Sequence, residues 1–181
     1  YFKGMTDNFS LTGPILFNKL EKIKNIVVLL HGYGSNGEDL IQIAREIQGS
    51  LNGILFSAPN APFNFDRLSS GYKWFEAYPN GIYIDQASEK QKQKTNNEFA
   101  TSCELIKKHI YQLSDQYEIN INKFFLLGFS QGSMMSIEVG TRLQTSIAGI
   151  ISLSGRIYGA NFASIKRNKV PILIIHGDAD N

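Results

Sequence analysis

The stretch Gly128-Phe129-Ser130-Gln131-Gly132 decides the fold, because of what lies on either side of it. The apolar run 124–127 before it is typical of a buried parallel strand, and residues 134–143 after it have a helix-like pattern. A G-x-S-x-G sequence between a buried strand and a helix indicates a sharp, strained turn that presents the serine as a nucleophile. Glycines on both sides let the two backbones approach closely, which a serine that merely caps a helix would not need.

Working outward, short apolar runs alternate with helix-like segments along the whole chain. Strands are predicted at 26–30, 54–56, 124–127, 147–153 and 170–175, and helices at 37–48, 99–117 and 134–143. This alternation predicts a doubly wound α/β fold, a mostly parallel sheet with helices on both faces. We expect residues 5–181 to form a single domain that lacks its C-terminal part. Residues 1–4, which precede Met5, are interpreted as an addition for expression.

Composition narrows the class of partner and the compartment. The 18 basic and 16 acidic residues are spread along the chain and give a net charge of only +2, so nucleic acid and anionic membranes are not expected partners. No apolar run reaches the roughly 18 residues that a membrane-spanning helix needs. Cys103 is the single cysteine, which excludes a disulfide framework within the chain and favours the cytoplasm.

A long connection between the second and third predicted strands is rich in aromatic residues. Such connections are usually functional or disordered, and the aromatic content argues against disorder. The rings either pack over the core or line a binding site, and the sequence leaves both alternatives open. The aromatic residues are Phe63, Phe65, Tyr72, Trp74, Phe75, Tyr78 and Tyr83.

The loop His31-Gly32-Tyr33-Gly34 directly follows the first long strand and is similar to an H-G-x-G oxyanion loop. Its Tyr33 amide and the Gln131 amide are therefore the candidate donors to a substrate oxyanion. The same loop, extended to Gly37, also fits the dinucleotide-binding pattern G-x-G-x-x-G. That alternative needs an acidic residue after the next strand, where the chain instead has the sequence Ser-Ala-Pro-Asn at 57–60.

An acid that orients a catalytic base is expected after a later strand, in the order serine, acid, histidine. The sequence His176-Gly177-Asp178-Ala179-Asp180 follows the last predicted strand. Either aspartate could serve, and the residue pattern alone does not choose between them.

Taken together, these motifs resemble the phospholipase/carboxylesterase family, which includes acyl-protein thioesterases, in the α/β-hydrolase superfamily. The resemblance also rests on 58–62 (Ala-Pro-Asn-Ala-Pro), Trp74-Phe75 and 153–155 (Leu-Ser-Gly), and covers nearly all the chain after Gly13. It implies that Ser130 is the nucleophile, that Tyr33 and Gln131 form the oxyanion hole, and that Asp180 is the acid. The aromatic loop around Trp74 and Phe75 suggests an apolar acyl pocket.

The expected activity is hydrolysis of an ester or thioester through an acyl-Ser130 intermediate, with no metal or cofactor. Short-chain esters, lysophospholipids and acylated proteins are the candidate substrates, and a homodimer is compatible with this interpretation. The alternative is a hydrolase-like binding domain without catalysis, because the family takes its histidine from beyond the acid and this sequence ends at Asn181.

None of the three histidines present fits the role of the base well. We expect His31 to orient the oxyanion loop, His109 to face solvent from the middle of a helix, and His176 to support the backbone before the acid. The base is therefore expected beyond Asn181. Without it, turnover would fall by about a million-fold, since serine and histidine act as one unit. Intact mass compared with the 20.3 kDa of this sequence tests the expectation.

Overall fold

The computed structural model describes residues 10–65, 71–158 and 167–179. Within these ranges the α-helices are α1 (Gly37–Ile47), α2 (Glu89–Tyr117) and α3 (Gln131–Arg142). The strands are β1 (Ile15–Leu16), β2 (Asn25–Leu30), β3 (Ile54–Ser57), β4 (Phe63–Asn64), β5 (Tyr72–Lys73), β6 (Phe124–Phe129), β7 (Gly149–Leu153) and β8 (Ile172–Ile175). Six strands form one sheet in the order β1-β3-β2-β6-β7-β8, in which only β1 is antiparallel to its neighbour. Among these residues, no helix is both long and apolar enough to cross a bilayer.

The predicted doubly wound α/β fold is confirmed, with differences at the ends of elements. Helix α2 begins at Glu89, ten residues before the predicted start at residue 99. Its first turns are polar and largely exposed, so the hydrophobic pattern did not reveal them. Ser88 starts it with a capping box to Gln91, a signal independent of hydrophobic periodicity. Helix α3 begins at Gln131, directly after the serine. Strand β1 has only two residues, too few for a periodic pattern.

The sheet is covered on both faces, and β2 shows how its sequence achieves this. Ile26, Val28 and Leu30 enter the larger core, which includes residues of α2 and α3, while Val27 and Leu29 enter the core beneath α1. Successive side chains of a strand point to opposite faces, so a continuous apolar run is what a doubly covered strand requires. Strand β8 differs, since its four apolar side chains are 40–63% exposed.

The order of strands brings the two proposed catalytic loops together. Strands β2 and β6 are parallel neighbours, and Leu30, the last residue of β2, pairs with Gly128. The chain leaves β2 for β3 on one side and later returns to β6 on the other, so the sheet order reverses between them. Such a reversal opens a crevice at the carboxyl ends of the strands, where ligands of α/β proteins bind.

A largely buried ion pair holds the segment that leads into β8 against α3. The Arg167 guanidinium donates to the Glu138 carboxylate at 2.8 Å and to Thr141 Oγ1 at 2.7 Å. Arg142 also pairs with Glu138. Both partners of the Arg167–Glu138 pair are largely buried, so losing one would leave an uncompensated charge.

The prediction that His109 faces solvent is wrong. Its position on α2 turns the ring into the protein, where it is 2% exposed and its Nε2 lies 3.0 Å from Ser57 Oγ on β3. Burial lowers the pKa of His109 to about 4. The prediction assumed that His109 faces the same way as the neighbouring Lys108. Adjacent residues of a helix point in directions about 100° apart, so a charged neighbour does not place the ring in solvent.

The burial of His109 predicts a loss of stability in acid. The unfolded imidazole titrates near 6.5 and the folded one at about 4, so protons favour the unfolded chain as pH falls through this window. The contribution of this residue is about 3 kcal/mol, an order-of-magnitude figure. In urea unfolding between pH 7 and 4, His109→Gln should show a weaker pH dependence than wild type. His176→Gln, at an exposed position, is the control, and equal slopes for all three proteins would contradict the account.

Candidate active site

Ser130 sits at a strained turn between β6 and α3. Its backbone has φ 50° and ψ −112°, far from the usual regions for a non-glycine residue. Its amide donates to the Leu153 carbonyl at 2.8 Å, and its carbonyl accepts from the Ser133 amide at 3.0 Å. These bonds tie the turn to the end of β7 and to the first turn of α3, so the surrounding structure maintains the strained conformation.

The two glycines of the motif are required by close backbone contacts. A Cβ at Gly128 would lie 2.2 Å from the Gly132 carbonyl oxygen, and a Cβ at Gly132 would lie 1.9 Å from the Leu30 carbonyl oxygen. Gly155, after β7, is similarly confined, since its Cβ would lie 2.1 Å from Ser133 Oγ. The elbow is thus packed backbone against backbone on the end of β2.

The loop that follows β2 is fixed beside this elbow by the aromatic connection. Gly34, with φ 79°, donates its amide to the Tyr72 carbonyl at 2.9 Å. The Tyr72 amide in turn donates to the Ser35 carbonyl at 2.7 Å. These two hydrogen bonds attach the loop containing Tyr33 to β5.

The ring of His31 makes hydrogen bonds through both nitrogens. The Ala61 amide donates to Nε2 at 3.0 Å, so Nδ1 carries the proton and donates to the Gly32 carbonyl at 2.8 Å. Burial lowers the pKa of His31 to about 4, against smaller opposing effects of Gly32 and Asp39. A neutral ring with both nitrogens engaged is suited to holding the loop and poorly suited to accepting the proton of a serine.

The side chain of Gln131 joins the elbow to the Trp-Phe segment, a role that the sequence interpretation missed. Its Oε1 accepts from the Trp74 amide at 2.9 Å, and its Nε2 donates to the Phe75 carbonyl at 2.8 Å. Trp74 Nε1 donates to the His31 carbonyl at 2.9 Å, and Ser102 Oγ on α2 donates to the Trp74 carbonyl at 2.5 Å. A glutamine inside a nucleophile motif carries no pattern that would predict these partners.

The rings of Trp74 and Phe75 lie in the hydrophobic core, 0% and 1% exposed. Core packing was one of the two alternatives for the aromatic connection, and a role in an acyl pocket stays a prediction. Phe129, next to the nucleophile, instead leaves 46% of its surface exposed, and its ring lies beside Gly32. The phenylalanine at the second position of the G-x-S-x-G motif is the sequence feature that could have predicted this exposed apolar surface.

The end of β8 reaches the same edge of the sheet as Ser130. Ile175 pairs with Leu153, which pairs with Phe129, and the Ser154 amide donates to the Ile175 carbonyl at 2.9 Å. Residues 176–179, which include His176 and Asp178, are exposed just beyond this strand. They leave the sheet two strands from the serine, about 10 Å away at ordinary strand spacing. Asp180 lies outside the described residues.

Comparison with known proteins assigns the family. The family model described as Phospholipase/Carboxylesterase matches residues 12–181. The chain belongs to the phospholipase/carboxylesterase family. Acyl-protein thioesterase 1 homolog 1 of Dictyostelium discoideum is 32% identical over 158 residues, covering 85% of this chain and 68% of that protein. Acyl-protein thioesterase 1 of Candida albicans is 28% identical over 170 residues, with coverage of 87% and 71%.

Solved structures of an esterase and a carboxylesterase share this architecture. Esterase PE8 superposes with a TM-score of 0.79 at 32% identity, covering 93% of this chain and 75% of its own. A carboxylesterase from Mesorhizobium loti has a TM-score of 0.73 at 16% identity, covering 96% of this chain and 74% of its own. The fold is that of the α/β-hydrolases.

The contact between Gly132 and Leu30 gives a test of the elbow packing. In Gly132→Ala the new methyl group would clash with the Leu30 carbonyl oxygen at the end of β2, so the backbone must move. We expect the free energy of unfolding to fall by about 1–3 kcal/mol. Gly49→Ala is the matched control, since a Cβ there meets no heavy atom within 4 Å and should change stability by less than about 0.5 kcal/mol. Urea denaturation measures both. Equal stability of the two variants would contradict this packing.

Proposed function

We propose that this protein is a serine hydrolase that cleaves a carboxylic ester or thioester through an acyl-Ser130 intermediate. The observation that carries the proposal is Ser130 on its strained turn, beside an oxyanion-type loop, in a chain of the phospholipase/carboxylesterase family. Ser130 Oγ attacks the carbonyl carbon and the alcohol or thiol leaves. Water then attacks the acyl group and releases the acid, which restores the serine.

The charge that develops on the substrate oxygen is assigned to two backbone amides, those of Tyr33 and Gln131. Gln131 is the first residue of α3, so its amide lies at the positive end of a 12-residue helix. The hydrogen bonds of the His31 ring and the Gln131 side chain support this assignment, because both hold donors in place before a substrate arrives. Removing one such donor typically costs a hundred- to a thousand-fold in turnover, or about 3–4 kcal/mol.

The proton of Ser130 requires a base, which we place on a histidine beyond Asn181, oriented by Asp180. The base would take the serine proton during attack and return it to the leaving group. Two of the three histidines in the sequence make contacts that disfavour them as this base. The His31 ring is engaged at both nitrogens, and His109 is buried against Ser57. We also propose that residues 5–181 belong to one domain, which that later segment completes.

For the substrate, we propose an acyl chain that packs on the exposed ring of Phe129, next to the nucleophile. Relatives named acyl-protein thioesterases favour an acylated protein among the candidate substrates. Lysophospholipids and short-chain esters share the reacting acyl group, and the proposed mechanism applies equally to them.

A fluorophosphonate probe tests the mechanism on the full-length protein, because such probes react with activated serines. Wild type should be labelled by the probe and should hydrolyse p-nitrophenyl butyrate. Ser130→Ala should show neither labelling nor hydrolysis. Ser50→Ala removes an exposed serine and should keep both. Absence of labelling in a folded wild-type protein would support a hydrolase-like binding domain instead.

A further inference from the structure

A partly buried carboxylate, that of Glu76, contacts the side chain of Tyr33, the residue to which the first oxyanion amide is assigned. Tyr33 Oη donates to Glu76 Oε1, and Lys73 Nζ donates to Glu76 Oε2 at 2.6 Å. The Tyr78 amide also donates to Oε1, at 2.9 Å. A carboxylate can only accept hydrogen bonds, so the hydroxyl of Tyr33 must be the donor.

Glu76 is ionised at neutral pH despite its partial burial. Burial alone would raise the pKa of this carboxyl, but hydrogen bonds from Lys73, Tyr33 and the Tyr78 amide outweigh it and hold the pKa below its ordinary value of 4.5. Lys73 is itself only 8% exposed. The ion pair between Lys73 and Glu76 is therefore partly shielded from water and is screened by salt less than a pair at an open surface.

The backbone of Glu76 is fixed to α2, which makes it a rigid support. Its amide donates to Glu98 Oε2 at 2.8 Å, and its carbonyl accepts from Thr95 Oγ1 at 2.9 Å. The ring of Tyr33 also packs edge-on against Phe65, with centroids 4.9 Å apart. A continuous path of contacts thus runs from α2 through Glu76 to the oxyanion loop.

We propose that Glu76 is a positioning residue whose carboxylate holds the Tyr33 side chain and so fixes the Tyr33 amide where a substrate oxyanion develops. The inference rests on the proposed function. An oxyanion donor acts only at its correct distance, about 2.7–3.1 Å from the charged oxygen. A loop anchored by hydrogen bonds at Gly34 and Ser35 and by the hydroxyl of Tyr33 has less freedom to drift than one held by the first two alone.

The expected signature is a loss of kcat with little change in KM, because the oxyanion exists in the transition state and not in the bound substrate. Displacement of a catalytic group by about 1 Å can cost a hundred-fold. We therefore expect Tyr33→Phe, which removes only the hydroxyl, to lower kcat about ten-fold, since partial loosening should cost less than a full displacement.

The experiment uses the full-length protein with p-nitrophenyl butyrate as substrate. It measures kcat, KM and the thermal midpoint for wild type, Tyr33→Phe, Glu76→Gln and the double variant. Tyr111→Phe, which removes a hydroxyl from α2, is the control. Tyr33→Phe removes the contact with Glu76, and Glu76→Gln weakens the same contact because it replaces a charged acceptor with a neutral amide oxygen. The double variant should therefore be no slower than the slower single variant.

Several results would overturn the inference. They are a kcat for Tyr33→Phe within two-fold of the Tyr111→Phe control, an effect confined to KM, or losses in the two single variants that multiply in the double. Tyr33→Phe keeps the Lys73–Glu76 pair, so it remains informative if Glu76→Gln fails to fold. A wild-type protein that neither labels nor turns over would instead overturn the proposed function, before any variant is compared.

Discussion

The parallel pairing of β2 with β6 is the constraint on which the rest of the site depends. It sets Leu30 beside Gly128, so the loops that leave the two strands emerge side by side at one edge of the sheet. The same pairing brings the start of α3 against the carbonyl of Leu30, which leaves no room for a side chain at Gly132. Shifting the pairing by one residue would exchange the faces of all the apolar side chains of the moved strand, so the two cores enforce the register.

Around this pairing, buried polar groups connect four separate segments of the chain. His31, Gln131, Trp74 and Ser102 come from the loop after β2, the elbow, the aromatic connection and α2. Each buried polar group left without a partner would cost about 1–3 kcal/mol, so these bonds specify one arrangement of the segments more than they add to stability. Donors held in this way need little reorganisation when charge develops on a substrate.

The sequence predicted the parts of this arrangement that depend on local patterns. The sheet, its helices and the turn at Ser130 followed from apolar runs and from glycines at fixed spacing. Contacts between distant segments had no such signal. The side chain of Gln131 reaches residues 56 and 57 positions away, Tyr33 reaches a carboxylate 43 positions away, and His109 reaches β3 across 52 positions. For His109, neighbouring lysines suggested solvent, whereas helix geometry turned the ring inward.

The most direct test of the central claim is a crystal structure of the full-length protein after reaction with a small fluorophosphonate. The account predicts a covalent bond between phosphorus and Ser130 Oγ, with one phosphoryl oxygen about 2.7–3.1 Å from the amide nitrogens of both Tyr33 and Gln131. An adduct on another residue, or a phosphoryl oxygen that lies in solvent away from both amides, would contradict it.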